Sequence, residues 1–253
     1  MTLGSATARR RIEMAQRPAR PGRRVLLALL HGFELTVDGQ TMSVPPSAQR
    51  LIAFLAISDR RYPRAYVAGS LWPDAPERRA YSSLRSTLWR LSWPSSRLVD
   101  ATNTHIALTP DSAVDFREAV DLARLTLDDS NDTGSVDRLL LLLSGDLLPG
   151  WYEDWVLAKR EWFRQLRLHA LECLSERLIR DGRFDQAVEA ALLAVAAEPL
   201  RESAHRALLQ AHIAEGNMGE ALRDYGRYRD LLRRELGVAP SPLIERLVGR
   251  LMA

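Results

Sequence analysis

The stretch PERRAYSSLRSTLWRLSW, residues 76–93, sets four arginines and four serines among a spaced series of leucines, one tyrosine and two tryptophans. At about 100° per residue, Glu77, Tyr81, Leu84, Leu88 and Leu91 fall on one helix face, and Arg79, Ser82, Ser83, Ser86 and Arg90 fall on the other. The first face can pack while the second reaches out. A solvated helix ordinarily carries Glu and Lys on its outer face; this one carries arginine and short hydroxyls, with the single acid Glu77 near its start. Arginine forks onto guanine O6 and N7 or onto a phosphate, and serine lets a helix backbone come close while donating a hydrogen bond. The competing reading is an ordinary solvated face, because arginine is the default cation here: Lys159 is the only lysine among 35 Lys and Arg. Alone, the helix leaves these two readings level.

Its neighbours separate them. VLLALLHGFELTVDGQTMSV, 25–44, alternates as strands do, with a turn at Asp38-Gly39. Pro45-Pro46-Ser47 opens a helix with the stripe Leu51, Phe54, Leu55 and Ile57, ending near Ser58-Asp59. A shorter helix follows Pro63, with Tyr66, Val67, Leu71 and Trp72 inward, and stops at Trp72-Pro73-Asp74. Beyond the arginine helix, LVDATNTHIALTP, 98–110, gives two strands around the turn Asn103-Thr104. Sheet, helix, helix, helix, hairpin is the order of a winged helix-turn-helix, whose third helix enters the major groove while the wing lies along the backbone. Element order and surface chemistry therefore agree on double-stranded DNA as a partner. The candidate DNA-binding residues are Arg78, Arg79, Ser82, Ser83, Arg85, Ser86 and Arg90 on the helix, with Asn103 and Thr104 at the wing.

Residues 109–114 read as a linker, the following stretch through Leu127 as a helix, and 128–135 as a polar loop. Beyond Gly150 lies helix after helix, the first long one opening with Trp151, Trp155 and Trp162 spaced for one core face. RDGRFDQAVEAA, 180–191, aligns with AEGNMGEALRDY, 214–225, at an offset of 34, placing Gly182 on Gly216, Ala187 on Ala221 and Val188 on Leu222. That offset is the tetratricopeptide period: a helix, a glycine turn, and a second helix whose alanine lets neighbours approach. Pro199 closes the first pair, and a helix from Pro242 to Met252 caps the stack. The expected fold is mainly α with a small β component: a disordered basic tail over 1–24, a winged helix-turn-helix over 25–112, and an α-helical tetratricopeptide-like domain over 113–253.

Charge follows that division. Residues 1–115 carry net +7 and residues 116–253 net −4, as in a nucleic-acid module joined to a protein-facing one. The basic excess is local, because the tail's seven arginines against Glu13 leave 25–115 at only +1. Cys173 lies in a leucine-rich helical stretch as a small core residue and permits no intrachain disulfide, which fits a reducing cytoplasm. The apolar run Val25 to Leu30 is too short for a secretory signal, and the five leucines 139–143 are too few to cross a membrane. There is no glycine-rich phosphate loop with Lys, no His-Glu-x-x-His, no Gly-x-Ser-x-Gly and no Cys/His ligand spacing, so no enzyme activity, cofactor or metal is expected. His205 and His212 share a helix face and read as a structural pair.

These residues resemble the SARP regulators, antibiotic-pathway activators of actinomycete bacteria, in which an OmpR-like winged helix precedes a tetratricopeptide-type bacterial transcriptional activator domain. The likeness runs from Val25 to Leu251 and is most specific in AYVAGSLWPDAPERRAYSSLRSTLWRL at 65–91, GDLLPGWYEDWV at 145–156 and LRRELGVAPSP at 232–242. Leu71 and Trp72 match the pair closing that family's second helix, and Ser86, Trp89, Arg90 and Leu91 occupy its recognition-helix register. Pro73 stands where many relatives have glycine. The resemblance implies sequence-specific binding to promoter direct repeats, a homodimer on DNA as one mode, recruitment of RNA polymerase holoenzyme, and activation. The residues themselves leave two alternatives open: a tetratricopeptide adaptor whose winged helix binds no specific DNA, and a repressor acting by promoter occlusion.

The tail generates the first prediction. A basic arm on phosphates releases counterions whatever the sequence, so deleting residues 2–24 should lower specific and nonspecific DNA affinity by a similar factor, flatten the salt dependence and leave the footprint unchanged. Binding curves at two salt concentrations that superimpose with those of the full chain would show the arm to be idle.

Overall fold

The computed structural model describes residues 25–58, 60–91, 98–128 and 135–249. The basic tail and most of the expected 128–135 loop lie outside them. In chain order the elements are β1 (Val25–Ala28), β2 (Glu34–Val37), β3 (Gln40–Thr41), α1 (Pro46–Ser58), β4 (Tyr62–Pro63), α2 (Arg64–Leu71), α3 (Glu77–Arg90), β5 (Val99–Ala101), β6 (His105–Leu108), β7 (Ser112–Val114), α4 (Asp115–Leu127), α5 (Val136–Ser144), α6 (Asp154–Arg180), α7 (Phe184–Ala197), α8 (Glu202–Glu215), α9 (Met218–Leu236) and α10 (Pro242–Gly249). Among the described residues the fold is mainly helical with two small sheets, and the chain divides into two compact units. The first takes the residues up to Asp121 and Gly145–Glu161; the second takes Leu122–Ser144 and the residues from Trp162 onward.

In the first unit, β1 and β2 are antiparallel with Leu27 opposite Leu35, and β2 turns through Asp38-Gly39 into β3, pairing Val37 with Gln40. The stretch expected as a linker is instead β7, which runs parallel to β1 with Val25 opposite Ser112 and buries Val114. Three residues are too few to show alternation, and their partner strand lies far away in sequence, so no local pattern reveals the pairing. The next residue fixes the junction: Asp115 accepts the Leu29 and Phe116 N–H groups on Oδ1 at 2.8 and 2.6 Å and the Leu30 N–H on Oδ2 at 3.0 Å. One carboxylate thus ends β1 and starts α4, satisfying backbone donors that burial would otherwise strand.

Around α1 the burial is continuous from Leu51 to Ile57, wider than the stripe expected, because this helix lies within the core instead of on its edge. Val67, Ala68 and Leu71 are the buried positions of α2. Tyr66, expected inward, is exposed and stacks on Tyr62 with ring centroids 5.1 Å apart, and Trp72 is half-buried. The second sheet sets β6 between β4 and β5, with Tyr62 opposite Ile106 and Val99 opposite Leu108.

The segment 145–161 completes this unit by backbone pairing. Leu148 N–H donates to Leu29 O at 2.8 Å and His31 N–H to Asp146 O at 3.0 Å. Arg160 donates to the carbonyls of Leu147, Leu148 and Trp151, holding the turn before α6. Trp151 stacks near Phe33 with centroids 6.2 Å apart, and Trp155 meets Phe54 edge-on at 5.2 Å. Trp162 belongs to the second unit, beneath the Arg124 guanidinium at 5.6 Å. The three tryptophans therefore do not share one core face. Trp151 precedes the first residue of α6, so the helical spacing read from it does not apply.

The second unit is tetratricopeptide-like. Gly182 and Gly216, aligned by the repeat, both take left-handed conformations with φ of 72° and 89° after α6 and α8. Ala187 and Ala221, also aligned, are fully buried where α7 and α9 begin. The closing helix is α10, whose Ile244 and Val248 join Tyr228 and Leu232 in one core cluster; residues 250–252 lie outside the described set. Glu202 accepts the Ser241 N–H at 2.9 Å and its hydroxyl, which starts that helix. Cys173 is half-buried with Sγ 3.4 Å from Thr126 O. Among the described residues no helix is long and apolar enough to cross a membrane.

Each of the two histidines is buried with a partner of its own. His212 Nε2 lies 3.2 Å from Asp224 Oδ2, while His205 sits 3.9 Å over the Tyr228 ring with Nε2 donating to Pro199 O at 2.9 Å. Burial pushes the His205 pKa below its ordinary value of 6.5, outweighing the Pro199 carbonyl and the nearby Asp224 and Glu202.

Two predictions follow from this packing. A β-carbon on Gly145 would fall 2.7 Å from His31 Nε2; His31 is exposed and its ring can swing aside, so Gly145→Ala should cost no more than about 1 kcal/mol in denaturant melts, and His31→Ala in the same chain should restore most of that. For His205, the lowered folded pKa means its contribution is complete above pH 6.5 and is lost as pH falls below that value, where the unfolded state binds more protons. His205→Phe, which keeps the stack on Tyr228, should flatten the dependence of the melting temperature between about pH 7 and pH 5. An unchanged slope would place the proton uptake elsewhere.

Candidate nucleic-acid interface

The seating of α3 decides which side chains it presents. Pro76 precedes it, and the Arg79 and Ala80 N–H groups donate to Pro76 O. Its buried positions are Ala80, Leu84 and Thr87, continued by Leu91 just past the end: the i, i+4, i+7, i+11 rows of one face. Small residues at 80 and 87 let the helix approach α1 and α2, against which it packs. This face is rotated by roughly 50° from the one expected, counting 100° per residue. Tyr81, expected inward, is 37% exposed; Glu77 is exposed and Leu88 half-buried. Leucines dominate a periodicity count, but here alanine and threonine carry half of the contact.

The rotation moves the centre of the outer face. Directly opposite the buried rows stand Arg78, Ser82, Arg85 and Trp89. Arg79, Ser86 and Arg90 are exposed along one flank, whereas Ser83, expected outward, is half-buried against the core side. Trp89 is 85% exposed and shares an open depression with Arg85, Ser86 and Arg90. Among the described residues, the side chains of Arg78, Arg79, Arg85 and Arg90 make no ion pair or hydrogen bond. Arginines on α9 behave differently: Arg223 pairs with Glu220, Arg227 with Asp224, Arg229 with Asp230 and Arg234 with Glu235. The guanidinium groups of α3 thus keep their full donor forks available for a partner.

The wing is a tied turn. Thr102 Oγ1 accepts the His105 N–H at 3.0 Å, an arrangement that closes the β5–β6 connection. Arg64, the first residue of α2, donates Nε to Thr102 O at 2.8 Å and its own N–H to Thr104 O at 2.9 Å. Arg61 pairs with Asp100 at the neighbouring edge. Asn103 and Thr104 are exposed at the tip. Arg64 was not among the residues singled out from sequence; its signal is the dipeptide Tyr62-Pro63 before it, a two-residue strand too short to read. Since α2 packs on α3 and also holds the turn, the helix and wing candidates belong to one unit.

Residues 112–252 match the model of the bacterial transcriptional activator domain. The chain belongs to that family. It is 28% identical to the regulatory protein AfsR of Streptomyces coelicolor over 226 residues, 85% of this chain and 23% of AfsR. With AfsR of Streptomyces griseus it is 28% identical over 232 residues, 87% of this chain and again 23% of the relative. The chain thus spans about a quarter of the length of these curated relatives. The structure of Mycobacterium tuberculosis EmbR in complex with a low affinity phosphopeptide shares its fold, with a TM-score of 0.69 at 21% identity over 91% of this chain and 65% of that one. The SARP resemblance carried by 65–91, 145–156 and 232–242 stands, and the bacterial transcriptional activator domain family is a regulatory one. The match begins within β7, so the family segment itself supplies β7 and residues 145–161 to the first unit.

Proposed function

We propose that this transcriptional regulator binds double-stranded promoter DNA through its first unit, with α3 in the major groove and the wing on the backbone, and that its helical unit recruits RNA polymerase holoenzyme. The observation that carries the reading is the outer face of α3, where four arginines are exposed and unpaired beside the single acid Glu77. Left in water, four unpaired like charges on one helix repel one another; against a polyanion each releases counterions. Arg78 and Arg85 with Ser82 at the outer pole reach base edges. Arg79, Ser86 and Arg90 along the flank reach the phosphates of one strand, Ser83 supports the approach from the core side, and Asn103 and Thr104 donate to the phosphates under the wing. Binding to direct repeats as a homodimer, activation rather than occlusion, and a cytoplasmic setting belong to the same reading. The division of labour is DNA in the winged helix of 25–112, with polymerase contact in the tetratricopeptide-like stack of 113–253. No catalytic step is assigned.

The roles separate by mutation. Arg78→Ala or Arg85→Ala should each cost about 1–3 kcal/mol of specific binding and relax preference at one position, whereas Arg79→Ala or Arg90→Ala should weaken all sequences alike and lower the salt slope by about 1. Gel-shift titrations across salt concentrations measure both. Wild-type affinity in all four variants would contradict the placement of α3, and a full chain without DNA affinity even at low salt would favour the adaptor.

A further inference from the structure

Trp89 is the most exposed large apolar side chain among the described residues. Packing gives no reason for it. The buried rows of α3 run through 80, 84, 87 and 91, and position 89 is at the pole farthest from them. No aromatic ring or cation among the described residues stacks on the indole. A lone exposed apolar side chain is ordinary on a protein surface; what sets Trp89 apart is its place among unpaired arginines on the outer pole of α3, where it offers a large apolar ring and a single donor to an approaching surface. Its surroundings say what kind of surface that is. Arg85 lies one turn before it and Arg90 beside it, both unpaired, and all three line the same open depression with Ser86. The only acid on this helix is Glu77, about three turns away.

We propose that Trp89 is a specificity-determining residue that lays its ring on thymine 5-methyl groups at the end of the site read by α3; this rests on the DNA reading above. A covering surface that suits two unpaired guanidinium groups is a polyanion, and the major groove of a duplex offers one apolar feature among its donors and acceptors, the thymine methyl. The indole matches it: its faces are apolar, and its single polar atom, Nε1, is a donor that can serve a neighbouring acceptor edge. Arg78, Ser82 and Arg85 read hydrogen-bonding edges along the same pole, so Trp89 adds preference for A·T pairs at the C-terminal end of the helix, where hydrogen bonding alone would leave the methyl unread.

The test uses the full chain and a duplex that it selects from a random-core library. That duplex is resynthesised with deoxyuridine in place of thymidine at one position at a time, which removes a methyl group and nothing else. Wild-type affinity should fall about fourfold per contacted methyl, the worth of burying one such group, at one or two adjacent positions. Trp89→Ala, with an unchanged melting temperature, should bind the thymine and uracil forms equally there, and Trp89→Phe should keep part of the difference. A wild type indifferent to every replacement overturns the inference while leaving the DNA reading intact, as does a Trp89→Ala chain that still discriminates by the same factor. If Trp89→Ala binds DNA as wild type does but fails in reconstituted transcription, the ring serves a protein partner and the inference is overturned. If the full chain selects no duplex at all, the underlying DNA reading fails with it.

Discussion

The close seating of α3 through Ala80, Leu84, Thr87 and Leu91 is the constraint on which the chemistry of the first unit depends. A helix can bury only one band of its surface, so fixing that band fixes its opposite. Replacing Ala80 or Thr87 by a leucine would bring a larger side chain into contact and turn the helix. As it stands, the buried rows aim Arg78, Ser82, Arg85 and Trp89 straight outward, with Arg79 and Arg90 along one edge. The supporting layer is equally specific: Arg50 donates to Leu71 O at the end of α2, and Arg117 donates to the carbonyls of Leu55 and Ala56 at the end of α1. These three bonds give helix-terminal carbonyls the partners their helices cannot supply.

Arginine therefore does three jobs in a chain with one lysine. In the first unit Arg50, Arg117 and Arg160 hold backbone carbonyls, using a rigid fork of several donors that an ammonium group lacks. On α9 arginines pair with acids on their own helix, where such contacts contribute a few tenths of a kcal/mol each. On α3 they have neither carbonyl nor acid. Residue type alone does not distinguish these uses. The local shortage of carboxylates does, and that shortage is visible in the sequence.

Much of the architecture was legible because it rests on local chemistry. Asp38-Gly39 gives a two-residue hairpin, Pro63 and Pro76 precede α2 and α3, and the glycines at 182 and 216 mark equivalent turns one repeat apart. The features that escaped depend on distant partners. β7 is defined by β1, nearly ninety residues earlier, and its three residues carry no period. The segment 145–161 joins the first unit through backbone pairing with Leu29 and His31, which side-chain patterns do not encode. The rotation of α3 escaped for a different reason: a periodicity count weighs leucine and tyrosine heavily, yet close approach between helices is set by alanine and threonine. Among the site residues only Ser83 changed character, moving half into the core, while Arg64 entered through its hold on the wing.

The orientation of α3 can be read directly. A photoreactive benzophenone side chain placed at position 82, on the outer pole, and separately at position 81, a quarter turn away, would be irradiated with the full chain bound to its selected duplex. Mapping the adducts by primer extension tests the central claim. Adducts on bases from position 82, with few or none from position 81, are the result predicted by the buried rows at 80, 84, 87 and 91. Equal yields from both, or base adducts from position 81 alone, would contradict the seating of α3 and with it the outward roles of Arg78, Arg85 and Trp89.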